Sequence, residues 1–352
     1  REALSGEGPA VHPVELGAAV PEDLPAEVPR RVSAVVGTSG STGRPKRVVL
    51  STSALLHSAA AAEAALGGPA QWLLALPAHW IAGVGVLVRS IAMGTEPVVD
   101  PGRGMVPAAF AASAARLEHP HRAVSLVPAQ LGRLIEDAAS REALRGFARV
   151  LIGGQAADPG LLARARDAGI AVTATYGSTE TAGGCVWDGV AIGDTAVAIL
   201  DGRVLLGGGA LAEGYLDDGQ REAEAFVEHE GRRWYRTDDA GRIEDGRLVV
   251  EGRLDDVIVS GGVKLHLGAL SALVAGLPGA GEALAVGVPD AAWGEAPVVL
   301  VTGEVDPAAA RAAAVAALGR GAGGMRVRRV AAIPRTPTGK PDRAAARALA
   351  QP

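Results

Sequence analysis

Val35-Val-Gly-Thr-Ser-Gly-Ser-Thr-Gly-Arg-Pro-Lys46 joins an apolar run at 32–36 to a second one, Val48-Val-Leu50. Between the two runs the chain holds only Gly, Ser, Thr, Pro and cations. Glycines such as Gly40 and Gly43 let a backbone close tightly around an anion, because no Cβ blocks the approach. Ser39, Ser41 and Thr42 bring hydroxyl donors, Thr38 leads into the loop, and exposed N–H groups in such a turn form an anion-binding concavity. Lys46 adds a mobile positive charge, so a polyphosphate suits the loop. It is not a Walker A loop, in which Ser or Thr follows Gly-Lys. Here the lysine follows proline and precedes Arg47. A flexible Gly/Ser linker would have a similar composition, but apolar runs on both sides argue against one.

Around this loop, short β-rich runs alternate with alanine-rich helical ones. Strands are expected at 32–36, 72–76, 98–99, 123–127, 150–152 and 171–175, and helices at 53–66, 81–93, 106–117, 129–138 and 160–168. Such alternation implies a mainly parallel sheet covered by helices, with ligands at the carboxyl ends of its strands. From about 190 the pattern changes. Asp201-Gly202 and Asp245-Gly246 each sit between apolar runs and read as hairpin turns, pairing 197–200 with 204–206 and 241–243 with 248–251. After Asp255 a small α+β region is expected, with strands near 257–260, 283–288, 298–301 and 327–332 and helices near 267–277, 307–318 and 342–349.

A chain of 352 residues has room for two domains and a sizeable core. The formal net charge of −5 argues against nucleic acid as the main partner, which would need a basic face. A single cysteine, Cys185, leaves no disulfide framework and fits a reducing compartment, so a cytoplasmic location is expected. No signal-peptide pattern opens the chain. The most apolar helical stretch, 81–93, contains Arg89 and is too short to span a bilayer, so no membrane insertion is expected.

Four further segments carry polar chemistry. Tyr176-Gly-Ser-Thr-Glu-Thr181 follows the strand at 171–175. A tyrosine face can stack on a base, a threonine can reach a phosphate, and a carboxylate can hold Mg²⁺ together with phosphate oxygens. The same residues could also form a plain polar turn. Tyr235-Arg-Thr-Asp-Asp239 reads by itself as a solvated acidic turn. Gly252-Arg-Leu-Asp-Asp-Val-Ile-Val-Ser-Gly-Gly262 reads as a surface strand with an Arg/Asp pair. In Pro334-Arg-Thr-Pro-Thr-Gly-Lys340, two prolines and a glycine hold a lysine on a stiff loop; a lone lysine there would ordinarily be a solubilising charge. Cys185 has no evident His/Asp partner set and is not read as a nucleophile.

In order and spacing, these motifs resemble those of the adenylate-forming enzymes: acyl-CoA synthetases, luciferases and peptide-synthetase adenylation domains. The resemblance implies a large N-terminal adenylation domain at 1–254 and a small mobile C-terminal domain at 255–352. The first would combine parallel-rich sheets under helices with a β-hairpin subdomain, giving an α/β and α+β protein. It also implies that the Thr38–Lys46 loop holds the ATP phosphates, Thr179 assists there, and Glu180 binds Mg²⁺. Gly153-Gly-Gln-Ala156, through Gly154, Gln155 and Ala156, would edge the adenine with Tyr176 and Gly177. Asp239 would grip the ribose, although Asp238 stands where the family usually has glycine. Arg253 would touch ribose or phosphate, Asp255 would be the hinge, Gly261 and Gly262 would line the coenzyme A tunnel, and Lys340 would be catalytic.

On the acid side, Leu76-Pro-Ala-His79-Trp-Ile-Ala-Gly83 resembles the segment that lines the carboxylate entrance, although a structural His79 is an equal reading. Thr181-Ala-Gly-Gly-Cys-Val-Trp-Asp-Gly189 resembles the corresponding segment of o-succinylbenzoate–CoA ligases of menaquinone synthesis. Trp187 replaces their tyrosine, and Ser178 stands where they often have methionine. Gly183 and Gly184 would floor a pocket for an aromatic ring. The implied reaction joins an aryl carboxylic acid to coenzyme A with ATP. Alternatives are another aryl- or acyl-CoA ligase, an adenylation enzyme serving a carrier protein, or a non-catalytic binding module. Arg89, His79 and Gln130 are candidates for reading a second carboxylate. A homodimer is compatible with the resemblance.

Overall fold

The computed structural model describes residues 1–38, 46–335 and 341–351, with the Asp255 side chain left aside. Ser39, Gly40, Ser41, Thr42 and Gly43 of the phosphate loop, and Lys340, therefore lie outside the described residues. The chain divides into two compact units. One is Arg1–Ala198 with Leu205–Thr237 and Glu244–Leu248; the other is Ile199–Val204 with Asp238–Ile243 and Val249–Pro352.

The first unit is built on a seven-stranded sheet. Its order is Val98–Val99, Gln71–Leu74, Arg122–Leu126, Arg149–Ile152, Val172–Ser178, Gly183–Trp187 and Val190–Ala191. The first five strands are parallel and the last two antiparallel. A parallel sheet is covered on both faces, so its strands are apolar on both sides. Leu73, Val124, Val150 and Ile152 accordingly pack with Phe110, Leu131 and Leu134 on one face. Trp72, Leu74, Ala123 and Leu151 pack with Ala62 and Val86 on the other. Proline opens the helices Pro107–Ala114, Pro128–Glu136 and Pro159–Asp167, where its missing N–H costs nothing.

The structure corrects several sequence expectations. The strand that leads into the phosphate loop is not part of the parallel sheet. Val32–Thr38 pairs antiparallel with Lys46–Ser51, and Gly214–Tyr215 adds a third strand on the far side of Lys46–Ser51. The strand that enters the loop is therefore one arm of an antiparallel pair, and the rule for parallel-strand ends does not govern it. The helix expected at 129–138 stops at Glu136. Asp137 takes an extended conformation and caps a second helix, Ala138–Arg145, by accepting from the Ser140 N–H at 2.9 Å. Tyr235 to Asp239 lie within the strand Arg232–Glu244 rather than in a turn. Both expected hairpin turns are present. Asp201, Gly202, Asp245 and Gly246 all have positive φ, the conformation that an Asp-Gly hairpin turn requires.

In the second unit the sheet order is Val263–His266, Val257–Ser260, Gly294–Val301 and Ala283–Asp290, with Arg326–Arg329 parallel to Gly294–Val301. Val263–His266 was not expected from the sequence. A short 3-10 turn, Leu254–Asp256, also interrupts the segment read as one surface strand. The helices Leu267–Ala275 and Pro307–Leu318 cover one face through Leu270, Val274, Ala310 and Ala314. Arg343–Ala350 covers the other through Ala346 and Ala350. Its first residue, Arg343, pairs with the buried carboxylate of Asp256. Among the described residues no helix is long and apolar enough to cross a membrane.

Candidate active site

The Tyr176–Thr181 motif runs off the end of the Val172–Ser178 strand into a short 3-10 turn, Thr179–Thr181. The turn is closed locally. The Ser178 N–H donates to Thr181 Oγ1 at 2.9 Å, and that hydroxyl donates to the Gly183 carbonyl at 2.8 Å. Thr179 and Glu180 are both buried. The Glu180 carbonyl accepts from the Ala212 N–H at 2.8 Å, and its Oε1 accepts from the Tyr215 hydroxyl at 2.8 Å. Lys46 Nζ lies 5.7 Å above the same Tyr215 ring. The lysine of the phosphate loop and the acid of the second motif, 134 residues apart in the chain, thus share one phenol. Sequence reasoning passes over Tyr215, because a Gly-Tyr pair does not signal which carboxylate it will meet.

Glu180 offers one hard carboxylate. Mg²⁺ is commonly held by one or two carboxylates together with substrate phosphates and waters. No cluster of three or more His, Cys, Asp or Glu side chains forms a metal cage among the described residues. This donor set fits a metal that arrives with phosphate rather than one locked in an all-protein site.

Gly153 and Gly184 approach Thr175 from two sides. A Cβ on Gly184 would meet the Thr175 Cβ at 3.0 Å, and a Cβ on Gly153 would meet the Thr175 hydroxyl. The segment Gly153–Ala156, expected at the adenine edge, and Gly184, expected in the floor of the acid pocket, therefore meet at this threonine. Gly154 has positive φ. Gly83 lies inside the helix Ile81–Ala92, packed against the Pro77–Ala78 backbone, where a Cβ would stand 2.9 Å from Ala78 Cα.

His79 precedes that helix and meets Trp80 edge-on at 5.5 Å. Burial lowers its pKa, aided by Arg103 and opposed by Glu15, which favours the neutral imidazole at pH 7. Gln130 is excluded as a free reader of substrate. Its Oε1 accepts from the Val127 N–H at 2.8 Å, and its Nε2 donates to the carbonyls of Ala75 and Arg103. Arg89 is 8% exposed, with its guanidinium 4.3 Å from the Trp72 ring. Burial pushes its pKa down to about 10, and no acidic side chain pairs with it among the described residues. Cys185 is buried, and burial pushes its pKa up to about 11.

In the second unit, Asp238 lies 3.4 Å from Arg203 and 3.3 Å from Arg253. The residue that departs from the usual glycine is thus a bridge between two arginines, and it needs no turn conformation because it lies in a strand. Asp239 follows it in the same strand, half-buried, while Gly261 and Gly262 turn the Val257–Ser260/Val263–His266 hairpin with positive φ.

Comparison with known proteins agrees with this arrangement. Residues 5–210 match the AMP-binding enzyme family. A probable 2-succinylbenzoate–CoA ligase of Mycobacterium tuberculosis is 38% identical over 324 residues, covering 89% of this chain and 83% of that protein. The 2-succinylbenzoate–CoA ligase of Escherichia coli K12 is 31% identical over 283 residues, 78% of this chain and 59% of the relative. Among solved structures, the amide bond synthetase McbA from Marinactinospora thermotolerans superposes with a TM-score of 0.81 at 28% identity, covering 97% of this chain and 74% of that one. With more than half its length matched by the family, the chain belongs to the AMP-binding enzymes.

Proposed function

We propose that this chain is an AMP-forming 2-succinylbenzoate–CoA ligase. The observation that carries the reading is its likeness to the mycobacterial relative along nearly the whole chain. The Thr181–Gly189 segment supports the same substrate.

The reaction activates a carboxylate before thioester formation. The acid attacks the α-phosphorus of ATP and pyrophosphate leaves. The CoA thiolate then attacks the acyl carbon and AMP leaves. Charge develops on phosphate oxygens in the first step, so preorganised donors and cations accelerate it. Thr38, the 39–43 loop and Lys46 hold the β- and γ-phosphates, with Thr179 beside them. Glu180 would hold Mg²⁺, which would screen phosphate charge. Gly154, Gln155, Ala156, Tyr176 and Gly177 frame the adenine, and Asp239 and Arg253 bind ribose. Lys340 bridges the attacking carboxylate and the α-phosphate. The 255–352 domain then turns about Asp255, which withdraws Lys340 and presents Gly261 and Gly262 to CoA. His79, Gly83, Ser178, Gly183 and Gly184 line the acid. Arg89, whose charge is desolvated and has no acidic partner among the described residues, receives the second carboxylate.

A pyrophosphate-release screen over a panel of carboxylic acids tests the reading, run without acceptor, with CoA and with an amine. The likeness to an amide bond synthetase motivates the amine arm. The expected result is dependence on CoA and a kcat/KM for 2-succinylbenzoate at least ~10-fold above benzoate or fatty acids, as for a site built around a substrate's polar groups. A flat profile would sink the substrate assignment, and amide formation in place of thioester would replace the ligase reading.

A further inference from the structure

The phenol between Lys46 and Glu180 belongs to Tyr215, a residue no motif assigns. We propose that Tyr215 is a positioning residue that sets the phosphate-loop cation and the metal-binding carboxylate against one nucleotide. This inference rests on the ATP-dependent reading above.

Tyr215 is well placed to hold both groups. It belongs to the strand Gly214–Tyr215, which pairs with Val48 and Val49 just beyond Lys46, and the Leu216 N–H donates to the Arg47 carbonyl at 2.8 Å. Any movement of this strand is therefore felt at the base of the phosphate loop. The ring is 5% exposed and is backed by Phe226 at 5.8 Å, itself 5.6 Å from Tyr235. Arg233 closes the row 4.2 Å over Phe226. The Tyr215 N–H donates to Glu222 Oε2 at 3.3 Å. A side chain packed this way has little rotamer freedom left to lose, so its hydroxyl is a fixed donor.

The two ends of the residue do different work. The O–H donates to Glu180 Oε1, and a hydrogen bond to a charged acceptor is stronger than one between neutral groups. It fixes the rotation of a buried carboxylate that would otherwise have to be oriented when metal binds. The ring face attracts the Lys46 ammonium through its quadrupole and holds that charge in reach without neutralising it. An aspartate or glutamate in this place would pair with Lys46 and repel phosphate, whereas a phenol does neither.

Two substitutions separate the roles. Tyr215→Phe keeps the ring and removes the donor. The Mg²⁺ concentration needed for half-maximal adenylation should rise about tenfold, the size expected for loss of one charge-assisted hydrogen bond. KM for the acid should hold. Calorimetric ATP affinity measured with EDTA should stay at the wild-type value, while affinity for the Mg²⁺ complex should fall. Tyr215→Leu removes both roles, and metal-free ATP affinity should then drop as well, by roughly fivefold for one lost cation–π contact. Thermal unfolding of Tyr215→Phe controls for loss of fold. A Tyr215→Phe protein with wild-type Mg²⁺ dependence overturns the inference, and so does one that loses metal-free and metal-bound ATP affinity equally. Wild-type protein that binds no ATP at all overturns this inference together with the function on which it rests, and that outcome is distinct from the other two.

Discussion

Gly177 pairs with Gly184 across two antiparallel strands, and a Cβ on Gly177 would stand 2.9 Å from Gly184 Cα and run into the Gly183 carbonyl. The obstructing atoms are backbone and cannot rotate away. Gly177 also has φ 154°, which L-residues rarely adopt. Gly177→Ala should therefore cost about 3 kcal/mol in urea unfolding through overpacking and strain. Gly183→Ala meets no atom within 4 Å, but its φ of 111° strains any side chain, so a smaller loss is expected there. Equal stability of Gly177→Ala and wild type would show that the glycine-lined contact between these strands is not tight.

Under the proposed function, Arg89 would set stability against substrate recognition. Replacing a buried charge by an apolar side chain of similar volume is often neutral or stabilising. Arg89→Met should therefore unfold at the same temperature as wild type or higher. Its kcat/KM for 2-succinylbenzoate should fall by roughly 10²-fold, in line with losing the partner of a buried carboxylate, while a monocarboxylate analogue keeps its value. A mutant that loses both substrates equally, or that unfolds early, would assign Arg89 to the Trp72 packing alone.

Cys185 titrates late. Its folded pKa is raised to about 11 by burial, so the neutral thiol is favoured in the folded state. The unfolded chain gives up this proton first, so the thiol's contribution to stability is complete below the ordinary cysteine range. It is lost as pH climbs from there towards 11. A Cys185→Ser protein should show a shallower fall in stability over that window. Native protein at pH 8 should react with a thiol reagent only on unfolding, and rapid labelling of folded protein would contradict the buried, protonated thiol.

Lys340→Ala should lower acyl-adenylate formation by ~10²-fold or more, as with other single preorganised stabilising groups. Thioester formation from synthetic acyl-adenylate and CoA should stay near wild type. Substrate binding should change less than rate, because the interaction is made mainly in the transition state. Measuring both half-reactions on one preparation decides the matter, since a solvated lysine of no function would leave both unchanged.

The parts of the fold legible in the sequence were those set by local periodicity. Apolar strands such as 72–76 and 150–152 appear within two residues of where they were expected, because a doubly covered strand must be apolar throughout. The Asp-Gly turns were equally legible, since few residue pairs accept positive φ twice in a row. The break at Asp137 was not. The helical pattern runs through it, and only the capping bond to Ser140 ends one helix and begins another. The strand containing Asp238 and Asp239 was hidden for a similar reason: two acids read as a turn until Arg203 and Arg253 are seen to neutralise the first.

By itself the sequence determined the order and chemistry of the motifs and the alternation that requires a covered parallel sheet. It also determined the glycines at turns where other residues are strained. All of these depend on neighbours within a few positions. Tertiary structure alone decided that the strand entering the phosphate loop pairs in a separate antiparallel sheet, that Gln130 has no N–H left to donate while Arg89 has no acidic partner among the described residues, and that Lys46 and Glu180 meet at Tyr215. The physical reason is that a polar group has a limited number of bonds to make. Whether it is left for a ligand depends on which distant segment the fold brings beside it.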